Sequence, residues 1–195
     1  MGYAFDSGTT ASFLEDTEKE IVSIDGGAAG RGENERARFR ILGSASPEPP
    51  GISNSLFLSV HSLLLIGDLG AAADRLMFAL EKYPNEPLFI SFQGLLHARQ
   101  NQADAAMECV RKALDFPFSL AHQHHTYHQL ACIYAVLGDI EKAMAWLEKS
   151  VDTGFPCWPF FQVDPSLENL RGESRFQRLI EDLKRKYTAL KISRT

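Results

Sequence analysis

The sequence predicts an all-α fold: a solenoid of about three stacked helix–turn–helix units, closed by a C-terminal helix and preceded by a segment without regular structure. Three observations carry this expectation. Ala72, Ala106 and Ala143 each stand five residues after a turn residue, Gly67, Asn101 and Gly138. Those turns are spaced 34 and 37 residues apart, a period at which each unit is one helical pair that buries its apolar face only against a neighbour. Near the C-terminus, Phe176, Leu179, Ile180, Leu183 and Tyr187 recur at i, i+3, i+4, i+7 and i+11, one apolar stripe on a helix. Arg175, Arg178, Glu181, Asp182, Lys184 and Arg185 fall on the other side. A helix with one polar face is what covers the apolar end of a stacked array.

Taken in order, residues 1–52 contain two stretches that disfavour regular structure. Residues 25–32 and 44–51 are rich in glycine and proline, which add backbone entropy and remove donors. A capping box at Ser12 and Glu15 and a short basic run over residues 33–42 are too poor in apolar side chains to offset ordering. This segment is expected to be a disordered leader or linker. The repeat domain is expected over residues 53–187. Unit one covers residues 53–86, with a turn at Gly67–Asp68 and Pro84 stopping its second helix. Unit two covers residues 87–120, with its turn at Asn101–Gln102, and unit three covers residues 124–157, with its turn at Gly138–Asp139. The intervening Ala121 to Gln123 account for the longer second spacing. Residues 158–187 form the capping segment, in which Asp164 and Pro165 have the pattern of an N-cap followed by proline at the first helical position. Residues 188–195 are left as a tail.

This region resembles the tetratricopeptide repeat family. Small residues stand where helices cross closely in that family: Gly94 and Ala131 on first helices, then Ala72, Ala106 and Ala143, and Ala79 and Ala113 on second helices. Leu56, Ile90 and Tyr127 occupy its aromatic position, and Leu76, Val110 and Leu147 fill the second helices. Val60, Ser150, Pro117 and Pro156 depart from the pattern. The resemblance implies a right-handed superhelix whose first helices line a concave peptide-binding groove. By register these positions are Asn54, Phe57, His61 and Leu64, then Leu88, Ser91, Leu95 and Arg99, then His125, His128, Cys132 and Val136. The set lacks the lysines and asparagines that clamp a terminal carboxylate in chaperone-binding relatives, so apolar anchors are the expected ligand feature. The closing run from Gly154 to Phe176 also resembles repeat regions of bacterial multidomain proteins that carry a serine/threonine kinase or a winged-helix regulator. That implies a second possibility, a docking or sensory module separated from its catalytic domain. The expected partner is a protein or peptide in either case.

Other function classes are disfavoured. A net charge of −5 and a pI near 5.7 give no basic footprint for nucleic acid. No apolar run approaches the ~18–20 residues of a membrane span, and the first residues lack a signal peptide's basic and apolar regions. Cys109, Cys132 and Cys157 are odd in number, without metal-type spacing, as in a reduced cytoplasmic chain. The glycines after Ile21–Ser23 are not a dinucleotide turn. Asp25 takes the first glycine's place, and no second strand follows before Pro47. Kinase motifs are missing. Neither a cofactor nor catalysis is therefore expected. His122, His124, His125 and His128 form the one cluster with ligand character. His128 is four residues from His124 and three from His125, and Cys132 follows at i+4. With no carboxylate near in sequence to complete a zinc set, His124, His125 and His128 remain weak metal candidates, and no metal is expected.

Overall fold

The computed structural model describes residues 54–117 and 123–192. The expected leader at 1–52 lies outside the described residues, as do Ala121 and His122. The described chain is helical, with no strand among its residues. In order it forms α1 (Asn54–Leu65), α2 (Leu69–Lys82), α3 (Pro87–Arg99), α4 (Ala103–Asp115), α5 (Gln123–Val136), α6 (Ile140–Asp152), α7 (Trp158–Val163), a 3-10 helix (Pro165–Leu170) and α8 (Ser174–Ile192). The pairs α1/α2, α3/α4 and α5/α6 pack within themselves and then on the next pair.

The three intra-pair turns are built alike. Gly67, Asn101 and Gly138 hold φ of 80°, 61° and 82°, the left-handed conformation that releases the chain from a helix. In each turn the next N–H reaches back five residues: Asp68 N to Leu63 O at 3.0 Å, Gln102 N to His97 O at 2.9 Å and Asp139 N to Tyr134 O at 2.9 Å. Asp68 and Asp139 then cap the following helix, accepting from Ala71 N at 3.0 Å and Lys142 N at 3.1 Å. Gln102 makes no such side-chain bond.

The small residues sit where the spacing put them. Ala72, Ala79, Ala106, Ala113, Ala131 and Ala143 are fully buried. At Gly94 a methyl group would stand 2.8 Å from Ile133 Cδ1 and 3.0 Å from Cys109 Cβ, so α3 can approach α4 and α5 this closely only without a side chain.

The C-terminal part closes the stack more thoroughly than one capping helix would. Trp158 and Pro159 open α7, a short helix not expected from the sequence, with proline tolerated in its first turn. Phe160 and Phe161 are buried there, and Leu167 and Leu170 of the 3-10 helix are fully enclosed. On α8, Phe176, Ile180 and Leu183 are buried, and Leu179 and Tyr187 pack against the same core. Arg175 does not simply face solvent with the other charges. Its guanidinium grips Glu148 through two bonds of 2.8 and 2.7 Å and reaches Glu141 at 3.2 Å, tying α8 to α6.

Candidate functional site

The positions expected to line a groove converge on the inner side of the stack, and most are interior. Leu64, Leu88, Ser91, Leu95, His128 and Cys132 are at most 2% exposed, and Phe57 and His125 are also buried. His61, Arg99 and Val136 are half-buried, and Asn54 opens α1. Around α5 and His61 this face is covered by the chain's own segment from Phe155 to Arg171. Phe155 packs on the His125 ring at 4.8 Å and the His128 ring at 5.3 Å. Phe160 meets His61 at 5.4 Å and His128 at 5.3 Å, and Phe161 stacks on His128 at 5.7 Å. Asn169 Nδ2 donates to Ala135 O at 2.8 Å, fixing the 3-10 helix to the last turn of α5. Arg99 Nη1 donates to Leu64 O at the end of α1, so this cation is committed to closing the exposed backbone of a helix end.

At the centre of the covered face lies a polar cluster in an apolar shell. His128 Nε2 is 3.3 Å from Asp164 Oδ2. Cys132 Sγ is 3.5 Å from the same Oδ2 and 3.7 Å from the same Nε2. His128, Cys132 and Asp164 are 1%, 0% and 2% exposed. The i, i+4 spacing puts the histidine and the cysteine on one face of α5. Asp164 arrives from the loop between α7 and the 3-10 helix, held there because its Oδ1 accepts from Ser166 N at 2.8 Å while Arg171 Nη2 donates to its carbonyl at 3.1 Å. Gln129 Nε2 is 3.2 Å from the other ring nitrogen, Nδ1.

Burial sets the protonation of this cluster. Burial would raise the Asp164 pKa, but the His128 hydrogen bond and charge, with the Ser166 N–H, hold it below the usual carboxylate value. Burial, and then the Asp164 carboxylate, push the Cys132 thiol well above its ordinary range. His61 is lowered to about 4, by burial first and by His128 second, with Asp164 opposing. A cysteine nucleophile needs a depressed pKa and a base whose far nitrogen is held by the acid. Here the thiol is pushed the wrong way, and thiol and carboxylate meet the same nitrogen. The cluster does not have the form of a catalytic triad.

Among the described residues, His128, Cys132 and Asp164 are the one group of three whose donor atoms could share a metal ion, all within 4.8 Å of one another. Of the histidines singled out in the sequence, only His128 belongs to it. His124 and His125 turn toward Phe155 instead, with ring centroids at 6.0 and 4.8 Å. Asp164 was missed because its sequence signature is that of a cap. Nothing local tells that its second oxygen reaches a side chain 32 residues back in the chain.

A separate hollow is lined by Leu80, Pro84, Ile90, Gln93, Lys112 and Phe116. No helix among the described residues is long and apolar enough to cross a membrane.

Fold and site together define an α-helical repeat array whose inner face has become interior. The family model of the tetratricopeptide repeat matches residues 124–153, a span made of α5 and α6, and supports a tetratricopeptide repeat family for this pair. No curated protein and no solved structure matches the chain. A repeat of this kind suggests a protein–protein interaction scaffold and is typically non-catalytic.

Proposed function

We propose that the chain is a non-catalytic scaffold that docks a protein partner on the outer and rim surfaces of the helical array. The observation that carries this reading is the cover itself. A peptide threading the concave side would have to expel Phe155, Phe160 and Phe161, whose rings are at most 5% exposed. Burying one such ring is worth about 1.5–3 kcal/mol, and an incoming peptide would have to replace all three. A partner bound to the exposed rims and second helices meets no such cost. In the finer reading, His61, His125, His128 and Cys132 belong to the wall that carries the cover, and Phe57, Leu64, Leu88, Ser91 and Leu95 to the core behind it, rather than acting as peptide contacts. The likeness of the closing run to kinase- and regulator-linked repeat regions supports a folded domain as the partner.

The test is affinity capture with the full chain, followed by hydrogen exchange of the complex. Protection on second helices with residues 155–171 still protected supports surface docking. Faster exchange across residues 155–171 on binding would instead show a peptide replacing the cover and overturn this reading.

A further inference from the structure

We infer that the outer face of the first helical pair is a stacking junction, and that the chain's own segment from Ala11 to Ile24 docks on it around Leu58 and Phe78. The register of the repeats defines the junction. Leu58 on α1 corresponds, one period on, to Phe92 on α3, and Ser62 corresponds to Leu96 and then to Ile133 on α5. In the inner pairs these positions face the preceding first helix. The Phe92 ring packs on Phe57 and His61 of α1 at 5.8 and 5.6 Å, and Ile133 Cδ1 stands against Gly94 of α3. Phe92 and Ile133 are fully buried. Leu58 has the same place on its own helix and is 41% exposed, because among the described residues no helix precedes α1.

The second helices repeat the pattern. Phe78 on α2 corresponds to Lys112 on α4 and Lys149 on α6. Lys112 shares a hollow with Leu80 of α2, so its position faces the preceding second helix. Where the inner pairs carry a lysine, which can lay its stem on apolar surface and keep its charge in water, the first pair carries a phenylalanine that is 52% exposed. A large apolar ring at a stacking position calls for a neighbour that the described pairs do not supply. The other end of the array shows the completed arrangement. There α8 buries Phe176, Ile180 and Leu183 and leaves Arg178, Glu181, Asp182 and Arg185 exposed. A stacked array needs such a polar-faced cover at both ends.

Three observations select the occupant. The residues before α1 lead directly into the helix that carries Leu58, and this tether gives them a high effective concentration at the face. Within them, Ala11, Phe13, Leu14, Ile21, Val22 and Ile24 supply six apolar side chains ahead of the glycines at Gly26 and Gly27. Such a set is too small to order by itself, and it orders against a ready-made apolar surface. Charge matches as well. Arg75 and Lys82 lie within one turn of Phe78, and Arg75 Nε donates to Ser59 Oγ at 3.0 Å, on the side toward α1. Helical periodicity sets Asp74 and Glu81 on the side away from α1. The segment carries Glu15, Asp16, Glu18 and Glu20 against one cation, Lys19, so it complements the basic flank. A second copy docked by a two-fold contact would instead set the same basic flank on both sides.

The experiment places a photoreactive side chain in the full chain, Phe78→p-benzoylphenylalanine, at a position open enough to accept it. Irradiation is expected to link it to residues 11–24 of the same chain, read by peptide mapping of the species of monomer mass. The same group at Val163, also 52% exposed, leaves that segment unlinked. Trypsin gives the second reading. Phe78→Asp speeds cleavage after Lys19 about tenfold, the change in open population that about 1.4 kcal/mol of lost contact produces. Cleavage after Arg31 and Arg36, outside the segment, keeps its rate. A link to a second copy, a link only to residues outside 11–24, no link at all, or an unchanged rate at Lys19 overturns the proposal.

Discussion

The first and second helices of the second and third pairs obey different rules, and α5 against α6 shows it best. On α5 every residue from His125 to Ala135 is buried. On α6, of similar length, only Ala143, Met144, Leu147 and Ser150 are, a single stripe with charged residues around it. The same contrast holds for α3 and α4. Second helices are packed on one side, as an amphipathic surface helix is. α5 is packed on both, by its neighbours in the stack on one side and by residues 155–171 on the other. The lesson is that a short repeat array need not leave its concave side to solvent. When the chain folds back, the inner face of the last pair becomes the middle layer of the domain.

The contrast can be broken most severely from the cover. Phe161→Ala removes a ring that is fully buried and stacked on His128. A loss of about 3–5 kcal/mol is expected, as for other large-to-small changes in a core, measured by urea unfolding. A loss under about 1 kcal/mol would mean that the cover rests on the first helices without packing into them.

Acid should act on the same layer. His61 keeps a pKa of about 4 in the fold against 6.5 for an ordinary histidine, because its ring is enclosed by Phe57, Phe92 and Phe160 and faces His128. The unfolded chain therefore binds the proton first. Stability contributed by the neutral ring is complete above pH 6.5, falls as the pH drops from 6.5 toward 4, and levels off below. The shift corresponds to roughly 3 kcal/mol across that window. Asp164, the acid facing His61, has its own pKa held low, so its contribution is lost only at still lower pH. Thermal unfolding from pH 7.5 to 4 checks this, with His61→Gln expected to flatten the slope.

The smallest effect belongs to the second helices. Asp139→Ala deletes the cap on Lys142 N and an exposed contact with Lys142 Nζ. About 1 kcal/mol should be lost, nearly all of it from the cap. An equal change at Gln102, which makes no side-chain cap and loses only an exposed bond to His97 Nδ1, should cost clearly less, and a matching loss there would remove the distinction drawn between the turns.

How much of this was legible follows from what periodicity can carry. Helical pairs, turns and close crossings are local or repeat at fixed offsets, so Gly67, Asn101 and Gly138 announced the turns and Ala72, Ala106 and Ala143 the crossings. The stripe from Phe176 to Tyr187 announced α8, which runs on to Ile192. What did not show was the path between α6 and α8. Phe155, Phe160 and Phe161 were not singled out, since six residues of helix are too few for a period to declare itself. The register of His61, His128 and Cys132 assigned them to one side of the stack. Whether that side meets water or another part of the chain depends on a contact distant in sequence, and no periodic pattern encodes it. Asp164 shows the same gap at the scale of one residue: one carboxylate oxygen does the local work that its dipeptide advertises, and the other does the distant work.

One contact in the cover has a mechanical meaning. Phe160 touches His61, joining α7 to α1 across the whole row of pairs. A plain solenoid behaves as a spring, each link touching only the next, and can peel from either end. A strut running from last to first removes that freedom. Pulled from its termini, this molecule should hold its length and then give way all at once, more like a latch than a coil.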